Sequence, residues 1–165
     1  VAAGEKIARV SANMAMAADM EVRASSTATT GAYSSACQRG LPAILMERGG
    51  GGKFTDSEVQ AYKRDVKNIM IRMGLLSGEE VHTVQQKNVT RAEYLEAETD
   101  GLWYPVFSAG DTFAGGAVLG TVRDIWGNLL REYRADYPGI VLYQTVSLGV
   151  KAGDPLIAYG EYVDR

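Results

Sequence analysis

The alternation of apolar and polar residues divides the chain into a helical first half and a strand-rich second half. Over Glu5–Met20, Ile7, Val10, Met14 and Ala17–Ala18 recur at the spacing of one helical face. The alanines and methionines between them favour that helix. Val22–Thr30 is small and β-branched and reads as a strand running into a Ser/Thr-rich loop. Thr30 is placed to cap a second helix over Gly31–Arg39, with Gly40 as its stop. Ala43–Met46 is an apolar run too short for a helix and of the length of a buried strand. It ends on Glu47 and four consecutive glycines, Gly49–Gly52. Thr55-Asp56-Ser57-Glu58 then has the form of a capping box. Beyond it, Val59, Tyr62, Val66, Ile69, Met70 and Met73 form an apolar stripe, Lys63, Arg64, Lys67 and Arg72 fall on the solvent side, and Gly74 closes the helix. The order helix–strand–helix–strand predicts a layered α/β arrangement.

Leu76-Ser77-Gly78-Glu79-Glu80 reads as a domain boundary, giving an α/β part over 1–76 and an all-β part over 77–165. In the second part short β-type runs occupy Val81–Val84, Tyr94–Glu98, Leu102–Phe107, Ala117–Val122, Ile140–Val146 and Leu156–Tyr159, punctuated by Gly, Asp and Pro. Leu129–Tyr133 fits a strand or a turn of helix, and Asp124–Asn128 a turn. This half also repeats itself. Ser108-Ala109-Gly110-Asp111 matches Lys151-Ala152-Gly153-Asp154, and Gly101-Leu102 matches Gly139-Ile140.

Composition narrows the function classes. The 165 residues are 46% hydrophobic and carry a net charge of −3 with both signs interspersed, so there is a core to build but no basic footprint for nucleic acid. No apolar run has the ~20 residues a bilayer demands. A single cysteine, Cys37, excludes an internal disulfide and fits a reducing, cytoplasmic setting. The chain begins at Val1 with neither an initiator Met nor a secretory pattern, and is expected to be a piece of something longer.

Glu47 fits a ligand site, because ligands in open α/β sheets gather beyond the carboxyl ends of strands; the alternative is that it ends a strand and faces water. The glycines, Lys53 and the following helix stand in P-loop order. That motif needs Gly at 47 and Ser or Thr at 54, however, where Glu47 and Phe54 stand. A Cys37–His82 nucleophilic pair has nothing to bring it together, and Cys37 reads as a small core hydrophobe. With His82 the only histidine and no paired His/Glu motif, a catalytic zinc held by this chain alone would need an unusual all-carboxylate set. Tyr33, Arg39 and Arg48 lie near the central run as candidates for an anionic substrate, although solvated positions suit both arginines.

Gly40-Leu41-Pro42-Ala43-Ile44-Leu45-Met46-Glu47-Arg48-Gly49-Gly50-Gly51-Gly52 resembles the succinylglutamate desuccinylase/aspartoacylase family, zinc carboxypeptidase-like deacylases with a Gly-Ile-Pro-Ala-hydrophobic run ending in Glu-x-Gly-Gly. Gly101-Leu102-Trp103-Tyr104-Pro105, Gly110-Asp111, Leu119-Gly120, Asp124-x-x-Gly127, Gly139 and Gly153-Asp154-Pro155-Leu156 are similar to its C-terminal β domain. The resemblance implies a partial zinc-carboxypeptidase-like α/β layer followed by a small all-β domain like lipoyl/biotinyl-type barrels. It also implies hydrolysis of an N-acyl amino acid by a zinc-bound water, with Glu47 as general base and acid. The family's His-x-x-Glu and later His have no counterpart here, so the zinc ligands are expected upstream of Val1 and this chain alone is expected to be inactive. Tyr33 is the loose candidate for binding the substrate carboxylate. The expected partners are a small N-acyl amino acid and, because a partial layer exposes apolar faces, a second copy of the chain; neither nucleic acid nor membrane is expected. The alternatives are a lipoyl/biotinyl-like binding module, for which Lys151 is the carrier candidate, and a non-catalytic scaffold relative.

Overall fold

Local signals at the helix ends translate directly into structure. The computed structural model describes residues 4–164, so residues 1–3 and 165, the outermost ends of the two predicted domains, lie outside it. Helix α1 spans Glu5–Ala17 and α2 spans Ala32–Gln38. Thr30 does not cap α2. The N-cap is Gly31, which has no side chain to offer the first-turn amides. The helix closes as expected at Gly40, whose N–H donates to the Cys37 carbonyl at 3.0 Å while that of Leu41 donates to Ala36 at 2.9 Å. Helix α3, Asp56–Arg72, opens with the full capping box. The Thr55 hydroxyl oxygen accepts from the Glu58 N–H at 3.3 Å, and the Glu58 carboxylate accepts from the Thr55 N–H at 2.6 Å.

Three strand expectations need correction, two in this half and one just past the expected boundary. The strand over Val22–Thr30 is only three residues long, β1 at Val22–Ala24. Beyond it the Ser26 hydroxyl accepts from the Ala28 N–H at 3.1 Å, a local bond that competes with strand pairing. Ala43–Met46 is not a strand, and Leu45 is 61% exposed. Side chains hold its backbone where a ladder was expected: the Ser11 hydroxyl accepts from Ala43 N–H at 3.1 Å, and Tyr62 donates to the Met46 carbonyl at 3.1 Å. Val81–Val84 is likewise no strand. The Val81 N–H goes to the Asn68 side-chain oxygen at 3.0 Å, and those of Thr83 and Val84 go to Asp19 at 2.7 and 3.2 Å.

The face of α3 also differs from the apolar stripe. Val66 and Met73 are exposed, while its fully buried side chains are Asp65 and Asn68. Asn68 resembles a strand partner in miniature, since its amide nitrogen donates to the Val81 carbonyl at 2.8 Å while its oxygen accepts the Val81 N–H. Burial of such groups is tolerated because each polar atom finds a partner.

Contacts divide the chain into two compact units, one up to Lys87 and one over Asn88–Asp164. Residues 81–84 thus bond within the first unit. In the second, β2 (Lys87–Glu96), β9 (Pro155–Asp164), β7 (Gly139–Gln144) and β4 (Thr112–Phe113) lie side by side in that order in one sheet. A second sheet has the order β6 (Leu129–Arg134), β5 (Val118–Arg123), β3 (Gly101–Pro105), β8 (Gly149–Val150). The two are separate sheets and no barrel closes among the described residues, so the expected lipoyl/biotinyl-type barrel is not confirmed. Leu129–Tyr133 is resolved as strand. The core gathers Trp103, Leu119, Val122, Leu156, Ile157 and Tyr159. Trp103 lies directly on Gly120, where a Cβ would fall 2.2 Å from the indole ring. The register that pairs Trp103 with Val122 and Pro105 with Gly120 needs a residue without a side chain there.

The internal repeat is a repeat of geometry. Asp111 accepts from the Ser108 N–H at 2.8 Å, and Asp154 accepts from the Lys151 N–H at 2.8 Å. Gly110 and Gly153 have φ of 91° and 89°, in the left-handed region that favours glycine. Each turn then exchanges a pair of backbone bonds with one neighbouring residue. Gly110 donates to Val141 and Val141 to Asp111; Gly153 donates to Ala97 and Ala97 to Asp154.

Candidate active site

The sequence places Glu47 between a short apolar run and a glycine loop, and the structure fixes that point from α3. Tyr62 and Asp65 are three residues apart and therefore share a helix face. The Tyr62 hydroxyl accepts from the Arg48 N–H at 2.8 Å and donates to the Met46 carbonyl at 3.1 Å. One oxygen thus binds the backbone on both sides of Glu47. The Glu47 side chain itself is exposed and, among the described residues, makes no hydrogen bond or ion pair.

Arg48 is neither a solvated surface residue nor a free anion site. Its guanidinium forms a fork on buried Asp65, Nε to Oδ2 at 2.7 Å and Nη2 to Oδ1 at 3.0 Å, and Nη2 also donates to the Asp19 carbonyl at 2.6 Å. The Asp65 hydrogen bond raises the Arg48 pKa above its already high value, against burial, which lowers it. Asp65 also accepts from the Asp19 N–H at 2.8 Å. The Asp19 carboxylate in turn accepts from Thr83 Oγ1 and N, Val84 N and Arg64 Nε, at 2.7 to 3.2 Å. Burial pushes the Asp19 carboxyl up, but these donors outweigh it and hold its pKa down at about 2. Arg64, expected on the solvent side, is part of this network.

The glycine loop does not form a phosphate cradle. Lys53 N–H donates to Gly50 across a tight turn at 3.1 Å, and the capping box already occupies the α3 N-terminus. Tyr33, half-buried, shares a hydrogen bond of 2.6 Å with the Ser26 hydroxyl, and no hydrogen bond among the described residues joins it to Glu47. Arg39 is exposed. Cys37 lies 3.7 Å from the Ser11 hydroxyl, while His82 bonds Glu80 at 3.0 Å, so the two do not form a pair. Among the described residues no three His, Cys, Asp or Glu side chains converge to hold a metal. No described helix is long and apolar enough to cross a membrane. Lys151 belongs to a turn whose twin begins with Ser108, so its place in the fold is explained without a carrier role.

Tyr62, assigned to the apolar stripe, and Asp65, not singled out, are the site residues that sequence reasoning missed. An Asp beside a helical apolar stripe, one turn after a Tyr, is the signal that could have found them.

No family model matches the chain. The chain is 28% identical over 127 residues to N-alpha-acetyl-L-2,4-diaminobutyric acid deacetylase of Halomonas elongata, covering 73% of this chain and 37% of that protein. The product-bound structure of the ectoine utilization protein EutE (DoeB) from Ruegeria pomeroyi superimposes with a TM-score of 0.85 at 23% identity, covering 97% of this chain and 51% of that one. Its apo structure gives 0.79 at 26% identity over 93% and 50%. A succinylglutamate desuccinylase/aspartoacylase from Rhodobacter sphaeroides gives 0.81 at 22% identity over 99% and 52%. The chain therefore spans about half the length of these solved relatives and 37% of the curated one. Its likeness to the succinylglutamate desuccinylase/aspartoacylase family extends through both units and corresponds to the C-terminal portion of that fold.

Proposed function

We propose that this chain is the C-terminal portion of a deacylase of N-acyl amino acids, in which Glu47 is the general base and acid. The observation that carries the reading is the placement of Glu47: among the described residues an unpaired, exposed carboxylate on a backbone fixed on both sides by Tyr62, near a glycine loop with open space at Gly50, Gly51 and Gly52. In the reaction, the carboxylate takes a proton from the attacking water as oxygen adds to the amide carbonyl carbon. The same proton then passes to the amide nitrogen, the C–N bond breaks, and a carboxylic acid and an amine leave. Proton transfer of this kind contributes ~10²–10⁴-fold.

The family likeness also implies zinc, which would polarise the amide carbonyl and activate water. The residues described here do not fit it: the one histidine is bonded to Glu80, and no ligand cluster forms among them. We therefore assign the zinc ligands to polypeptide outside this chain, and the cofactor to the longer protein.

The test is Glu47→Gln in the full-length protein that contains this sequence, assayed for amine release from N-acetyl and N-succinyl amino acids. Turnover is expected to fall ~10²–10⁴-fold with KM little changed. Activity near that of the wild type removes Glu47 from the role. Metal analysis of the 165-residue chain is expected to find no zinc, and one tightly held ion would overturn the assignment of the ligands.

A further inference from the structure

We infer that Tyr62 is the positioning residue for Glu47, acting through the two peptide units that flank it; the inference rests on the assignment of Glu47 as the base. Three observations lead to it. Among the described residues the segment carrying Glu47 has no strand partner, so its backbone is not fixed by a ladder. Glu47 itself has no side-chain partner among the described residues, so its direction follows from the backbone alone. Tyr62 Oη meets that backbone on both sides, accepting from Arg48 N–H at 2.8 Å and donating to Met46 C=O at 3.1 Å.

A hydroxyl suits this task because it donates and accepts at once. The ring is carried by the long, capped helix α3. Arg48 adds a second fastening, since its guanidinium bridges Asp65 of α3 and the Asp19 carbonyl just beyond α1, and lies 6.0 Å from the Tyr62 ring centroid. The cation next to the base is thereby tied to the scaffold. Displacing a reacting group by ~1 Å can cost ~10²-fold in rate, so a residue that touches no substrate can still control turnover.

The test is a double-mutant cycle on the full-length protein: wild type, Tyr62→Phe, Glu47→Gln and the pair. Phenylalanine keeps the ring and removes only the hydroxyl. Y62F is expected to lower kcat ~10–100-fold with KM within about twofold, and to cause no further loss in the E47Q background. Circular dichroism checks that Y62F is folded. Amide hydrogen exchange is expected to rise at Glu47 and Arg48 while α3 keeps its protection. Equal losses from Y62F in both backgrounds would overturn the inference, because Tyr62 would then act independently of Glu47. A Y62F enzyme with normal kcat beside an inactive E47Q would overturn it while leaving the deacylase reading intact. An active E47Q would overturn both, since Glu47 would then have no role to support.

Discussion

Replacing Asp19 by Asn isolates the energetic weight of the polar network beneath the candidate base. The substitution preserves shape but removes the charge that Arg64, Thr83 and Val84 address. The Asp19 side chain is fully buried, so its charge is worth keeping only because four donors surround it. Together they hold its pKa at about 2 against an ordinary 3.8. That lowering corresponds to about 2–3 kcal/mol of folding free energy at neutral pH. A carboxyl whose folded pKa is depressed contributes fully above its unfolded value. The contribution is therefore complete above about pH 4 and is lost as pH falls towards 2. All three described helices lie in the unit up to Lys87, so far-ultraviolet circular dichroism during urea unfolding reports this unit. D19N is expected to be less stable than the wild type by about 2 kcal/mol at pH 7, with the gap closing between pH 4 and pH 2. A gap that stays constant with pH, or none at pH 7, would refute the reasoning.

Two further substitutions test the packing claims. Gly120→Ala places a methyl 2.2 Å from the Trp103 ring and is expected to destabilise the second unit by about 3 kcal/mol, read from tryptophan fluorescence during unfolding. Unchanged stability would mean that the indole does not lie on Gly120. Thr55→Ala removes the capping oxygen of α3 and is expected to cost about 1 kcal/mol by thermal unfolding followed at the helix signal.

What was legible in the sequence is what residues settle among near neighbours. The capping box of α3 needs only Thr55 and Glu58 and forms as read, and the two matched Gly-Asp segments each close a turn within four residues. Most β runs of the second half are strands because Gly, Asp and Pro mark their ends. Apart from the shortened β1 and the N-cap of α2, which are local, the failures involve partners distant in sequence. Ala43–Met46 has a strand's composition, but a strand exists only against another one, and here Ser11 and Tyr62 side chains take its hydrogen bonds. The same holds for Val81–Val84, whose amides go to Asp19 and Asn68. The stripe on α3 was misplaced because burial of Asp65 and Asn68 depends on Arg48, Asp19 and Val81, 13 to 46 residues away. The motif singles out Glu47 only as a candidate. The hydroxyl that fixes it was hidden inside an apolar pattern.

The paired Gly-Asp turns have a consequence for how this half of the chain can change. Each is a self-fastened clip: its own aspartate ties its entry, and two main-chain bonds anchor it to a single residue next door. A clip of this kind asks nothing of the side chain at its first position, where serine stands in one and lysine in the other. Such corners are interchangeable parts, and the residues they present outward are free to diversify while the strands they join stay in place.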